Sequence, residues 1–176
     1  MHNKLNSKPM FHPNQLRKII KAKDIDSEQM KEVEKSKQTL IHKGIDIEML
    51  NMLEDKLSSF IPNSKMYYSN DKYMSDIISK GQFMYGKGAR LIKGELHQCH
   101  NNAIDIFYDN KEDCLIATGF AFTQGNVWVE HTWIIHYLDK EKSKYEIIET
   151  TIKRTAYFGV ILDYYDSIEF AEFCYS

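Results

Sequence analysis

Three side chains in this 176-residue sequence have the types and the order that acyl-transfer chemistry requires. Cys99 stands in "QCHNNA" just ahead of a helix-like run, His131 in the strand-like "VEHTW", and Glu149 in "IIETT". A thiol attacks a carbonyl carbon as its thiolate, and a free cysteine with a pKa of about 8.5 is mostly protonated at neutral pH. A helix N-terminus and a neighbouring imidazole both favour the anion, and Cys99 falls in the first turn of its expected helix. The unpaired N–H groups of that turn also suit a developing oxyanion, with Gln98 and His100 beside the thiol as oxyanion or support groups. His97 and His100 otherwise read as exposed residues flanking the helix start.

Strand alternation puts Val129, His131, Trp133 and Ile135 on one face and Trp128, Glu130, Thr132 and Ile134 on the other. His131 is then a polar group in an apolar row and needs a partner. Cys99 is one candidate. Glu149 is the other, because a hairpin through "KEKSK" folds "YEIIETT" back beside the histidine strand. There a carboxylate would hold the imidazole tautomer and stabilise the imidazolium. A register shift of one or two residues would put Thr150 or Thr151 in its place. Read singly, the cysteine is a small hydrophobe and the histidine a satisfied core residue; the order of the three together points to catalysis.

Other constellations carry less. "HQCH" with His131 and His136 offers nitrogen and sulfur ligands for zinc, but the paired ligand spacings are missing, so no metal is expected. "YGKGARLIKG" lacks the Gly-Lys-Ser/Thr ending of a phosphate loop and reads as a flexible loop beside the cysteine. Arg90 and Lys93 in it are solvated charges or attractors of an anionic substrate. Cys114 and Cys174 have no basic partner in sequence, the two tryptophans read as core, and Asn101 and Asn102 cap the helix or line the site, capping being the simpler reading.

The elements that must position these residues divide the chain in two. All three prolines and all eight methionines lie in its first half, whereas fifteen of the twenty-two aromatic residues follow position 100. Residues 1–23 carry six Lys or Arg and no acid; with almost no aromatic interleaving they read as a solvated, flexible arm rather than a nucleic-acid tail. Residues 24–80 read as helical. Ser27 caps the first helix, with Met30, Val33, Leu40 and Ile41 as its apolar stripe. The second carries Ile47, Leu50, Leu53 and Leu57, and a short third starts near Ser69 or Asp71. Residues 81–176 read as a core in which the Cys99 helix, with Ala103, Ile106 and Phe107 inward, packs on an antiparallel β-meander. That is an α+β domain. The formal charge of −2 suggests neither a general nucleic-acid binder nor an acidic solvating chain. No apolar run reaches the roughly 20 residues of a membrane span. Unframed cysteines and the absence of an apolar signal core point to the cytoplasm.

The order Cys, His, acid on helix, strand, strand resembles the transglutaminase-like and arylamine N-acetyltransferase-like branches of the papain-like superfamily. More closely, "QCHNNA", "GFAF", "EHTWII", "IIETT" and "YFGV" are similar to the pattern of a group of small bacterial and phage proteins. That likeness covers about Gly94 to Leu162. It implies a papain-like scaffold with Cys99 as nucleophile, His131 as base and Glu149 as orienter. Glu-Thr-Thr stands where many such proteins have Asp-Pro, and the tryptophan that follows the cysteine of true transglutaminases is missing, so protein crosslinking is not implied. The expected activity is cysteine-dependent hydrolysis or acyl transfer on a small-molecule, peptide or protein amide or acyl bond, through a thioester and without a cofactor. The alternative is a non-catalytic binding or inhibitor module, phage-encoded in origin, that meets a protein partner through its methionine-rich N-terminal helices.

Overall fold

The computed structural model describes residues 25–175, so the basic arm read at 1–23 lies outside the described residues. Two helices lead, α1 (Ser27–His42) and α2 (Ile47–Phe60). Each begins at an aspartate. The Asp26 carboxylate accepts the N–H groups of Glu28 and Gln29 at 3.0 and 2.8 Å, and Asp46 accepts that of Glu48 at 2.8 Å. The cap of α1 is therefore Asp26 rather than Ser27, since a carboxylate both accepts the orphan N–H groups and complements the positive helix end. Val33 and Leu40 of α1 and Leu50, Leu53 and Leu57 of α2 are buried, whereas Met30 and Ile47, in the first turns, stay exposed.

The remaining elements are β1 (Lys65–Met66), α3 (Met74–Lys80), β2 (Gln82–Tyr85), β3 (Arg90–Leu91), α4 (Cys99–Asp109), β4 (Cys114–Phe122), β5 (Val127–Tyr137), β6 (Tyr145–Glu149), β7 (Ala156–Ile161) and α5 (Tyr164–Tyr175). The whole is α+β, with a mixed seven-stranded sheet in the order β2-β7-β4-β5-β6-β3 and β1 beside β5. The expected meander holds only for β4, β5 and β6. β7 crosses over to the far edge of β4, β2 pairs with β7, and β1 and β3 join β5 and β6 in parallel. Part of "YGKGARLIKG", read from the sequence as a flexible loop, is thus strand β3. Such two-residue strands satisfy backbone groups at a sheet edge but are too short to show an apolar alternation.

Both faces of the sheet are covered. The helices pack on one, where Ile104 and Phe107 of α4 meet Trp128, Ile134 and Phe158 in the same cluster as the leucines of α2. The other face curls over a second cluster of Met84, Ala117, Ala121, Trp133, Ile135, Ile147 and Tyr157. The curl depends on Gly119 and Gly159, which face each other across β4 and β7. Gly119 has φ +154°, and a Cβ on Gly159 would lie 2.1 Å from the Thr118 carbonyl oxygen and 2.8 Å from the Trp133 ring. Two bare Cα atoms let the strands close together and leave room for the indole. No helix among the described residues is long and apolar enough to cross a membrane.

Gly159→Ala is expected to destabilise the fold by about 2 kcal/mol, since the clash is with backbone that cannot rotate away. Urea unfolding of the two proteins measures it, and a change within error would show that the strands have slack at this crossing.

Candidate active site

His131 lies in the middle of β5, on the curled face of the sheet, and is 1% exposed. Its ring stacks near Trp133 and Tyr157. Glu149, the last residue of β6, shares that face and is completely buried. The register Ile134↔Ile148 sets it diagonally across from His131, and His131 Nε2 lies 2.9 and 3.1 Å from its two carboxylate oxygens. An ionised carboxylate only accepts, so Nε2 carries the proton and donates. In the neutral ring Nδ1 is then bare, and it is the nitrogen left for Cys99, whose interaction with His131 lowers the thiol pKa and raises that of the imidazole. His131 is thus hydrogen-bonded to Glu149 and interacts electrostatically with Cys99.

Glu149 is held by more than the histidine. Oε1 accepts the N–H groups of Thr150 and Thr151 at 2.9 and 2.8 Å and the Thr151 hydroxyl at 2.9 Å, and Oε2 accepts the Tyr157 hydroxyl at 2.8 Å. Burial alone would raise its pKa. The His131 bond and charge, the Thr151 N–H and the Tyr157 hydroxyl outweigh burial and bring it down to about 2. Burial disfavours a protonated His131 in turn, yet its interactions with Cys99 and Glu149 prevail and raise its pKa. Thr151, a sequence alternative to Glu149, instead buttresses it. Tyr157 was missed by the sequence reading; nothing but its place in "AYFGV" could have pointed to it.

Cys99 opens α4, and the approach to it is laced to the acid's own strand. The N–H groups of Ile92 and Gly94 donate to the carbonyls of Glu149 and Thr150 at 2.9 and 2.8 Å. Asn102, read from sequence as a cap, instead clamps this approach. It accepts the Glu95 N–H at 3.1 Å and donates to the Glu95 carbonyl at 2.8 Å. Gly94 lies so close that a Cβ there would sit 2.4 Å from the Asn102 side chain. His97 then turns the chain at φ +63° and delivers it into the helix.

Unlike α1 and α2, α4 has no side-chain cap. The N–H groups of Cys99, His100 and Asn101 have no partner among the described residues. Gln98 is exposed, and its side-chain oxygen accepts from Asn101 Nδ2 at 2.9 Å, which leaves its own NH2 free. For Cys99, burial opposes ionisation, but His131, the charge of His100 and the Thr132 N–H outweigh it and lower the thiol pKa. Cys114 is the opposite case, pushed up to about 11, chiefly by burial. Cys174 is raised by burial and by the charges of Cys99, Asp71 and Glu130.

His100 faces the other side of β5. Its Nδ1 lies 2.6 Å from Thr132 Oγ1 and its Nε2 3.7 Å from Glu130, whose proximity and charge raise its pKa. Thr132 continues through Thr118 to the buried carboxylate of Asp71, which burial holds above its usual range. His131 and His136 point to opposite faces, and His136 bonds Glu146 at 2.9 Å. No group of three or more His, Cys, Asp or Glu is gathered for a metal ion among the described residues. No protein-family model matches the chain, and no curated protein or solved structure is significantly similar to it.

The buried carboxylate sets a pH dependence. Its folded-state pKa of about 2 lies below the ordinary value of about 4.3, so the stability it adds is full above about 4.3 and disappears as pH falls through about 2. The shift corresponds to about 3 kcal/mol. The raised pKa of His131 acts with the opposite sign, adding stability that is full below its ordinary value and lost as pH rises through the elevated one. The stability gap between wild type and Glu149→Gln is therefore expected to shrink from pH 5 down to pH 2, read by denaturant titration at each pH. A constant gap would mean that the carboxylate is not held as an anion.

Proposed function

We propose that the chain is a cysteine-dependent hydrolase or acyltransferase of papain-like arrangement, acting on an amide or acyl bond through a thioester. The observation that carries this reading is the line from an uncapped helix start through Cys99 and His131 to a buried, fully bonded Glu149. A cysteine kept only for packing has no use for a lowered pKa, and a histidine kept only for packing needs no second partner. The strained, hydrogen-bonded approach to Cys99 supports the same reading, because backbone strain is held where geometry matters.

In this mechanism His131 Nδ1 takes the thiol proton as Sγ attacks the carbonyl carbon, and Glu149 holds the resulting imidazolium. The tetrahedral oxyanion is received by the free N–H groups at the start of α4, with the Gln98 amide at hand beside them. Collapse expels the amine or alcohol, which takes its proton from Nδ1, and leaves the thioester. Water or an amine then gives its proton to Nδ1 as it attacks, and the second collapse returns the thiolate. His100 stands outside this path. Through Thr132 it ties the first turn of α4 to the sheet, and its charge adds to the stabilisation of the thiolate.

Alkylation of each cysteine followed by mass spectrometry over a range of pH tests the premise. Cys99 should react at lower pH than Cys174, and Cys114 should be slowest. His131→Ala should move the Cys99 profile upward and leave the other two unchanged. Against activated acyl esters and anilides, Cys99→Ala and His131→Ala should reduce turnover by about 100-fold or more, and Cys114→Ala should not. A Cys99 that reacts like Cys114 whatever stands at position 131 would sink the reading in favour of a binding module.

A further inference from the structure

The loop between β2 and β3 and the segment before β7 form the walls of an open cleft of about 370 Å³. Lys87, Lys153 and Arg154 line it, together with Gly86, Gly88 and Thr155, and no carboxylate does. None of the three cations forms an ion pair or a side-chain hydrogen bond among the described residues. Other basic groups in this fold do find acids, as Arg90 does with Glu146 and Lys37 with Glu54. Arg154 Nε is moreover shut off from solvent with no acceptor, which is a costly state for a charged donor.

The backbone of the cleft is also short of acceptors. Gly86 donates to the Thr155 carbonyl at 2.9 Å and Ala89 to the Gly86 carbonyl at 3.1 Å, but the N–H groups of Lys87 and Gly88 between them find no acceptor among the described residues. Gly88 takes φ +98°, so two consecutive free amides sit at a left-handed turn, the arrangement that makes an anion-binding concavity. A Cβ on Gly86 would lie 2.1 Å from the Arg154 carbonyl oxygen, so the glycine allows the two walls to meet. This is not a strand-to-helix phosphate loop, since both flanking elements are strands.

We propose that this cleft is a binding site for a phosphate group, free or carried as a phosphomonoester on a small molecule. Three unneutralised cations suit a dianion better than a single carboxylate. The planar Arg154 guanidinium offers its two Nη groups to two oxygens, its Nε being closed off, and the amides of Lys87 and Gly88 close on a third. The site stands apart from Cys99 and does not rest on the thiol chemistry.

Amide proton–nitrogen correlation spectra of the full chain, titrated at constant ionic strength with inorganic phosphate, phenyl phosphate or acetate, test it. Phosphate or phenyl phosphate should give saturable shifts confined to residues 86–89 and 153–155, with acetate far weaker. The stronger of the two phosphates tells a free-ion site from an ester site. The exposed pair Lys87→Ala/Lys153→Ala should weaken binding about tenfold or more while the rest of the spectrum stays unchanged. Arg154→Lys, which keeps the charge and loses the fork, should weaken it less. Equal shifts from acetate, binding undiminished in the double variant, or a response to a short oligonucleotide with none to either phosphate would each overturn the proposal.

Discussion

A carboxylate with no exposure to water has to remain an anion for this site to exist. Moving such an ion out of water is expensive, several kcal/mol even after relaxation, and attraction to one histidine does not reliably offset that. Glu149 meets the cost with hydrogen bonds, from two backbone N–H groups, two hydroxyls and the imidazole. All but the imidazole come from its own chain within eight residues. The turn after β6 is therefore shaped as a cradle for one side chain, and the tautomer of His131 follows from it.

The rest of the architecture brings other groups to that cradle. β5 carries His131 on the curled face and Thr132 on the helix face, so adjacent residues of one strand meet two separate polar networks. On the curled face the network ends at Tyr157. On the other it runs through Thr118 to Asp71 and through His100 to the helix that bears Cys99. The segment leading to Cys99 is tied to the end of β6 and the residue after it by main-chain bonds from Ile92 and Gly94. Cysteine and acid are thus positioned by the same stretch of backbone, and the histidine is positioned from the strand next to it.

Much of this was legible in the sequence because the long elements have strong periods. The leucine stripe of α2 is plain in the sequence, and the alternation of β5 with the hairpin through Lys140–Lys144 brings His131 beside the 149–151 stretch, where the register alone decides among Glu149, Thr150 and Thr151. What the sequence hid is of two kinds. β1, β2 and β3 are too short to show a period, and their pairing is decided by which sheet edges need partners. The hydrogen-bonding roles of Thr151, Tyr157, Asn102 and Asp71 depend on contacts made only once the sheet has curled. Gly119 and Gly159 are the residues that permit the curl, and a glycine in a sequence does not announce what will press against it. The assignment of β7 to the end of a meander failed for the same reason, since the close crossing with β4 is a tertiary event.

The placement of Trp133 has an optical consequence. Its indole lies in the same cluster as the imidazole of His131, with the two rings nearly parallel and their centroids 6.4 Å apart. The chain's other tryptophan, Trp128, sits in the opposite core with its N–H on Ser64. A protonated imidazole beside an excited indole accepts its electron and darkens it, whereas a neutral one leaves it bright. Emission from Trp133 therefore follows the proton on His131, and the protein carries a gauge of that imidazole's charge that needs no label and no substrate.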